Sequence, residues 1–387
     1  MRLEGNWSFP TSMRFGAGRI AELGEAAKSA GMARPLFVTD AQLVATPIID
    51  RARETLAAAG VAVAVFAEVK ANPVAANIEA GLAVLRTGRH DGVIACGGGS
   101  ALDAGKVIAF MAGQRRSLWD FEDIADWWTR ADPSGILPVI AVPTTAGTGS
   151  EVGRAGVITD ATVNAKKVIF HPLMMPRIAI CDPAVTVGMP PVITAGTGMD
   201  ALVHCLEAYC GPNYHPLADG IALEGIRLVK DNLARAYRSG GDLEARAHMM
   251  AAAAMGASAF QKGLGAVHAL SHPVGALYDT HHGMTNAVVL PYVLAFNRTA
   301  IERRIARLAA YLGLQPTFAA FLAWVLELRR ELGVPHTLRE FGVGDDKIEA
   351  MSAMAPKDPT AAGNPLPINA TVCRQLYCNA FAGELGL

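Results

Sequence analysis

The chain has 387 residues, 51% hydrophobic and 18% charged, with 34 Lys and Arg against 35 Asp and Glu and a net charge of −1. That length suits two or three domains around a large buried core, and the composition excludes a disordered chain. Near-neutrality provides no general attraction for a polyanion, so the expected ligand is a small molecule rather than nucleic acid or an acidic membrane surface.

The opening MRLEGNWSFPTSMRF is interrupted by Glu4, Asn6 and Arg14 and has no apolar core of signal-peptide length. The most apolar stretches, around 249–260 and 287–296, fall short of the ~18 to 20 apolar residues that a membrane-spanning helix needs. Six cysteines, none in a CxxC pair, support neither a structural zinc nor a disulfide framework. A cytoplasmic protein is expected.

Short β-branched runs alternate with amphipathic or Ala-rich stretches through the first half. The pattern predicts a strand over 35–40 (PLFVTD), a helix over 46–59, a strand over 61–66 and a helix over 77–87. A strand over 92–96 (GVIAC), a helix over 101–111 and a strand over 137–142 follow. Such an order describes a doubly wound, nucleotide-type α/β domain. From Val192 onward the apolar period is helical, as in 243–259 and 301–312, and Gly188, Pro190 and Pro191 punctuate the change. We therefore expect an α/β domain over 1–187 and an all-helical domain over 188–387. A small-molecule site would suit the cleft between them.

Gly97-Gly98-Gly99-Ser100 follows a predicted strand and opens a helix, with Ser100 placed as its N-cap. Such a turn either cradles a phosphate on its backbone amides or is an ordinary tight strand-to-helix turn. Asp40 closes the first strong strand; it would either accept the adenosine ribose hydroxyls, favouring NAD over NADP, or cap the next segment. The run Pro143 to Glu151 (PTTAGTGSE) sets hydroxyls and glycines after another strand, as a polar ligand requires.

The helical half carries the strongest constellation. Asp200 and His204 are spaced i,i+4 and share a helix face; His268 and His272 repeat the spacing, and His282 follows after a loop. Four of the ten histidines fall between 268 and 282. Three imidazoles and a carboxylate would hold a divalent first-row ion, Fe(II) or Zn(II), able to lower an alcohol's pKa or polarise a carbonyl. A nicotinamide alongside would complete a dehydrogenase.

With GGGS followed by Asp103 and Lys106, PTTAGTGSE, GMDALVHCLEAY and VHALSHPVGALYDTHHG in this order, the chain resembles the iron-containing (group III) alcohol dehydrogenase family along nearly its whole length. The resemblance implies an N-terminal dinucleotide-binding α/β domain and an all-α C-terminal domain, of the dehydroquinate synthase-like superfamily, with the metal in the interdomain cleft. It implies Asp200, His204, His268 and His282 as metal ligands and His272 as a catalytic histidine that shuttles the alcohol proton. His281 matches no ligand position and reads as structural. Asp40, Asn72, Gly98, Gly99, Ser100, Asp103, Thr144, Thr145 and Lys166 fall where relatives contact the dinucleotide, NAD being favoured by Asp40. A homodimer or larger homo-oligomer is implied. Relatives often carry bulkier residues where this chain has Gly153, Ala155 and Gly156, which points to a wider substrate pocket.

The expected activity is hydride transfer between an alcohol, or its aldehyde or ketone, and NAD(H). A zinc-dependent glycerol or polyol dehydrogenase of the same superfamily is the nearer alternative. A dehydroquinate synthase-like lyase is more remote, because no Lys or Arg lies between Lys262 and Arg298 to hold a phosphate.

Overall fold

The computed structural model describes residues 11–386. They form two compact units, one from the chain up to 145 together with 149–188, the other from 146–148 together with the chain from 189 onward.

The first unit runs β1 (Ser12–Phe15), α1 (Leu23–Ser29), β2 (Leu36–Asp40), α2 (Pro47–Ala58), β3 (Ala64–Val69), α3 (Ala75–Thr87), β4 (Val93–Gly97), α4 (Gly99–Met111), β5 (Val139–Pro143), β6 (Ala155–Asp160), β7 (Ala165–Phe170) and β8 (Ile178–Cys181). Six strands pair in parallel in the order β1-β8-β5-β4-β2-β3, while β6 and β7 form an antiparallel hairpin. The sheet's two faces bury alternate residues of each central strand. Leu36, Val38, Val93, Ala95, Val139 and Ala141 join one core with α3 and α4, while Phe37, Ile94, Cys96, Ile140 and Val142 join another with α1 and α2. Covering both faces is what makes these strands continuous apolar runs. The chain leaves β2 for β3 on one side and returns to β4 on the other. The carboxyl ends of β2 and β4 therefore flank the point where the strand order reverses, the usual ligand position in open α/β sheets.

The second unit is helical throughout: α5 (Pro191–Cys210), α6 (Pro216–Arg238), α7 (Leu243–Ala259), α8 (Ala266–Tyr278), α9 (His282–Tyr311), α10 (Phe318–Glu331), α11 (Ile348–Met354) and α12 (Ala370–Ala382). Helix α5 is buried without interruption from Thr194 to Cys210 and packs against α6, α7 and α9. That explains its lack of a solvent-facing polar stripe. None of these helices is long and apolar enough to cross a membrane, and all six cysteines are free.

Several expectations shift. The strand expected over 61–66 is β3 at Ala64–Val69, because Gly60, with φ of +70°, ends α2 and the Val61 amide bonds back to the Leu56 carbonyl. Ser100 is not the N-cap of α4. Gly98 takes that place, and the Ser100 hydroxyl donates instead to the Ala71 carbonyl. The short strands β1 and β8 and the β6–β7 hairpin had no distinct sequence signal. Gly156 does not widen a pocket: a Cβ there would stand 2.6 Å from Val107 Cγ2 and 2.9 Å from the Asp103 carbonyl, so its smallness serves the approach of β6 to α4.

Candidate functional site

In the helical unit Asp200 and His204 share one face of α5, His268 and His272 stand a turn apart on α8, and His282 opens α9. The fold brings them together. Asp200 Oδ1 lies 3.8 Å from His204 Nε2, 3.9 Å from His268 Nε2 and 3.7 Å from His282 Nε2. The Asp200, His204 and His268 ligand atoms all lie within 4.8 Å of one another. Asp200 is only 1% exposed, yet among the described residues it receives one hydrogen bond, from Asn286 Nδ2 at 2.7 Å, and pairs with no lysine or arginine. A buried carboxylate facing imidazole nitrogens in this way lacks a compensating cation, so the donor set fits a divalent metal.

Helix contacts set this geometry at backbone level. A Cβ at Gly283 would overlap the Gly196 carbonyl oxygen and stand 3.0 Å from Asp200 Cβ, so α9 begins in direct contact with α5. His281 caps α9 by accepting the Met284 amide at 3.2 Å, a structural role. Gly147 similarly lies where a Cβ would stand 2.7 Å from Thr197 Cβ.

Burial pushes the His204 imidazole below its ordinary range against the pull of Asp200, favouring the neutral form that a metal requires. For His268 burial acts in the same direction, but the Glu207 hydrogen bond and charge, together with the charges of Asp200 and Asp358, outweigh it and raise the group. His272 Nδ1 lies 2.7 Å from Asp358 Oδ2, and its ring stacks on that of His282 at 5.3 Å. Burial would raise the Asp358 carboxyl. The His272 charge and hydrogen bond, with the Thr360 hydroxyl and amide, instead hold it at about 2.

Most of the nucleotide candidates lie at or just beyond strand ends of the α/β unit, with Asp103 in α4 and Lys166 in β7. Asp40 closes β2; its Oδ1 accepts the Gln42 and Leu43 amides at 2.9 and 3.0 Å, and a Cβ at Gly97 would lie 3.5 Å from its Oδ2. Asp40 does not cap the next helix, whose N-cap is Thr46; one of its oxygens orders the turn after β2 while the other faces the end of β4. Gly97, with φ of +153°, turns the chain into Gly98, Gly99 and Ser100 at the start of α4. The Thr144 amide donates to the Gly97 carbonyl at 2.9 Å, and a Cβ at Gly98 would lie 3.4 Å from Thr145 Cγ2. Lys166 Nζ donates to Asn72 Oδ1 at 2.9 Å, joining two candidates, whereas Lys167 pairs with Asp160 and Glu122. Asp103 is committed internally: Oδ1 accepts from Ser150 Oγ at 2.5 Å and Oδ2 from the Val157 amide at 3.0 Å.

Comparison with known proteins shows the family. Residues 10–183 match the family described as iron-containing alcohol dehydrogenase, and residues 194–381 match its C-terminal domain family. The chain belongs to the iron-containing alcohol dehydrogenase family. It is 40% identical to the 4-hydroxybutyrate dehydrogenase of Cupriavidus necator over 376 residues, covering 95% of this chain and 97% of that protein. The crystal structure of a 1,3-propanediol oxidoreductase superposes with a TM-score of 0.92 at 35% identity, covering 98% of this chain and 100% of the other. A sulfoacetaldehyde reductase from Bifidobacterium kashiwanohense, solved in complex with NAD+, gives 0.88 at 28% identity over 98% and 99% of the two chains. The present chain is thus an oxidoreductase, a metal-dependent alcohol dehydrogenase with the α/β and helical architecture of that family.

Three residues of this alcohol dehydrogenase escaped the sequence reading. Glu207 contacts His268, Asp358 contacts His272, and Asn286 Nδ2, besides bonding Asp200, lies 3.3 Å from His268 Nε2 and 3.1 Å from His282 Nε2. A helical-face rule would have placed two of them on the ligand-bearing faces of their own helices, though not named their partners, since Glu207 follows Asp200 by seven and Asn286 follows His282 by four. Asp358 had no local signal.

Proposed function

We propose that this dehydrogenase uses NAD(H) and Fe(II), with Zn(II) as the alternative ion, to interconvert an alcohol with its aldehyde or ketone. The observation carrying the reading is the buried Asp200 carboxylate faced by three imidazole Nε2 atoms. A bound divalent ion would supply Lewis acidity toward the substrate oxygen, and a bound nicotinamide would supply the hydride-exchange chemistry.

The residues divide the remaining work. Asp200, His204, His268 and His282 would hold the ion. His272, with its Nδ1 held by the ionised Asp358, keeps Nε2 for exchange of the alcohol proton. Asp40 would select the unphosphorylated ribose, while Gly98, Gly99 and Ser100 at the start of α4, with Thr144 and Thr145, would contact the diphosphate. Asn72 and Lys166 complete the nucleotide set, while Asp103, its oxygens taken by Ser150 and the Val157 amide, would brace that set from α4 rather than contact the nucleotide. Residues 1–187 take the role of dinucleotide domain and 188–387 that of metal and substrate domain. NAD is supported by Asp40 beside the strand-order reversal and by the NAD+ complex of the sulfoacetaldehyde reductase; iron is supported by the family. A cytoplasmic homodimer or larger assembly completes the proposal.

The test combines metal analysis with cofactor titration. His268→Ala should lose bound metal and turnover together; full metal occupancy at the normal rate would refute the ligand assignment. Asp40→Gly should relax the preference for NAD over NADP, and an unchanged ratio would refute the ribose role. A screen of alcohols and aldehydes on protein loaded separately with Fe(II) and Zn(II), following nicotinamide absorbance, would identify the substrate.

A further inference from the structure

Helix α8, which carries His268, starts without a side-chain cap of its own: its N-cap is Gly265. Two distant residues satisfy its first amides. The Ala266 amide donates to Asn364 Oδ1 at 3.1 Å, and the Val267 amide donates to Glu207 Oε1 at 2.6 Å. A Cβ at Gly265 would lie 3.0 Å from both acceptor oxygens, so glycine leaves room for the arrangement. The second oxygen of the same carboxylate, Glu207 Oε2, lies 2.6 Å from His268 Nδ1. Glu207 stands on α5, on the face that carries Asp200 and His204.

An ionised carboxylate can only accept hydrogen bonds. Opposite Glu207, His268 Nδ1 must therefore carry a proton. In the neutral ring this leaves the lone pair on Nε2, the nitrogen facing Asp200. We propose that Glu207 is a positioning residue for the metal centre: it fixes the tautomer of His268 and, through the first turn of α8, the placement of that ring relative to α5. The proposal rests on the metal-binding reading above, but its first readout needs no metal.

Glu207→Gln separates positioning from simple packing. The glutamine carbonyl retains an acceptor for the Val267 amide, whereas its NH2 group faces His268 Nδ1 and forces that nitrogen to accept. The proton then moves to Nε2. In metal-free protein labelled with 15N-histidine and studied at alkaline pH, long-range 15N–1H spectra should show His268 as the Nδ1–H tautomer in the parent and the Nε2–H tautomer in the variant. His268→Ala identifies the signals. Competition with a chromophoric chelator should show Co(II) affinity reduced by about 10- to 100-fold, as for other outer partners of metal-bound histidines. The thermal midpoint of the metal-free variant should stay close to that of the parent. An Nε2–H tautomer in the parent, readable even if the variant fails to fold, overturns the proposal, as does an unchanged Co(II) affinity or tautomer in a folded variant. Absence of metal binding by the parent would instead refute the metal reading, while the parent's tautomer would still decide the role of Glu207.

Discussion

Gly283→Ala adds one methyl group where α9 meets α5, and its effect can be worked from the contacts. The new Cβ would overlap the Gly196 carbonyl oxygen, stand 2.8 Å from the Gly196 carbonyl carbon and 3.0 Å from Asp200 Cβ. Non-bonded carbons normally rest roughly 3.5 to 4.0 Å apart, so the helices must separate by about 0.5 to 1 Å. His282 is the neighbouring residue, with Nε2 3.7 Å from Asp200 Oδ1, and the separation would carry it outward. Metal–ligand distances normally fall within about 0.2 Å of their preferred values. We expect destabilisation of about 1 to 3 kcal/mol from overpacking and a loss of metal affinity of at least about tenfold. Chelator competition measures the affinity and thermal unfolding of the metal-free protein measures the stability. A folded variant with parental metal affinity would show that this backbone contact does not place His282.

Other outcomes test the α/β unit. Glu151 is 2% exposed, and burial raises its carboxyl from 4.5 to about 7 against its own backbone hydrogen bond and the pull of Lys106. Because the folded state favours the proton, the contribution of Glu151 to stability is complete below about pH 4.5 and lost as pH rises through about 7. Glu151→Gln, neutral throughout, should gain on the parent across that window by on the order of 3 kcal/mol. Denaturant unfolding at several pH values would expose the error if the difference between the two proteins were constant. Gly97→Ala combines a strained φ of +153° with a Cβ 2.7 Å from Ala101 Cβ. It should weaken NADH binding in fluorescence titrations while leaving metal content unchanged; parental NADH affinity would argue against the β4 turn as the nucleotide site.

Much of this protein was legible from local pattern because local rules govern those parts. The spacing of Asp200 and His204 places both on one helix face whatever surrounds it, and His268 and His272 follow the same rule. The apolar runs of β2, β4 and β5 declare strands buried on both faces, and glycines at the end of β4 declare the turn. The marginal strands were hidden for physical reasons: β1 and β8 are each only four residues long, too short for a period to show, and β1 pairs only with β8.

The amino-acid sequence alone therefore determined the alternation of central strands and helices in the first half, the residue types able to bind metal and the glycine turns, since each depends on a few neighbours along the chain. Tertiary structure alone decided which groups complete one another. Glu207 meets His268 across 61 positions, and Asn286 meets Asp200 and Asp358 meets His272 across 86 each. A hydrogen bond acts over about 3 Å and carries no trace of the sequence distance it spans, so such partners become known only when helix packing brings them together.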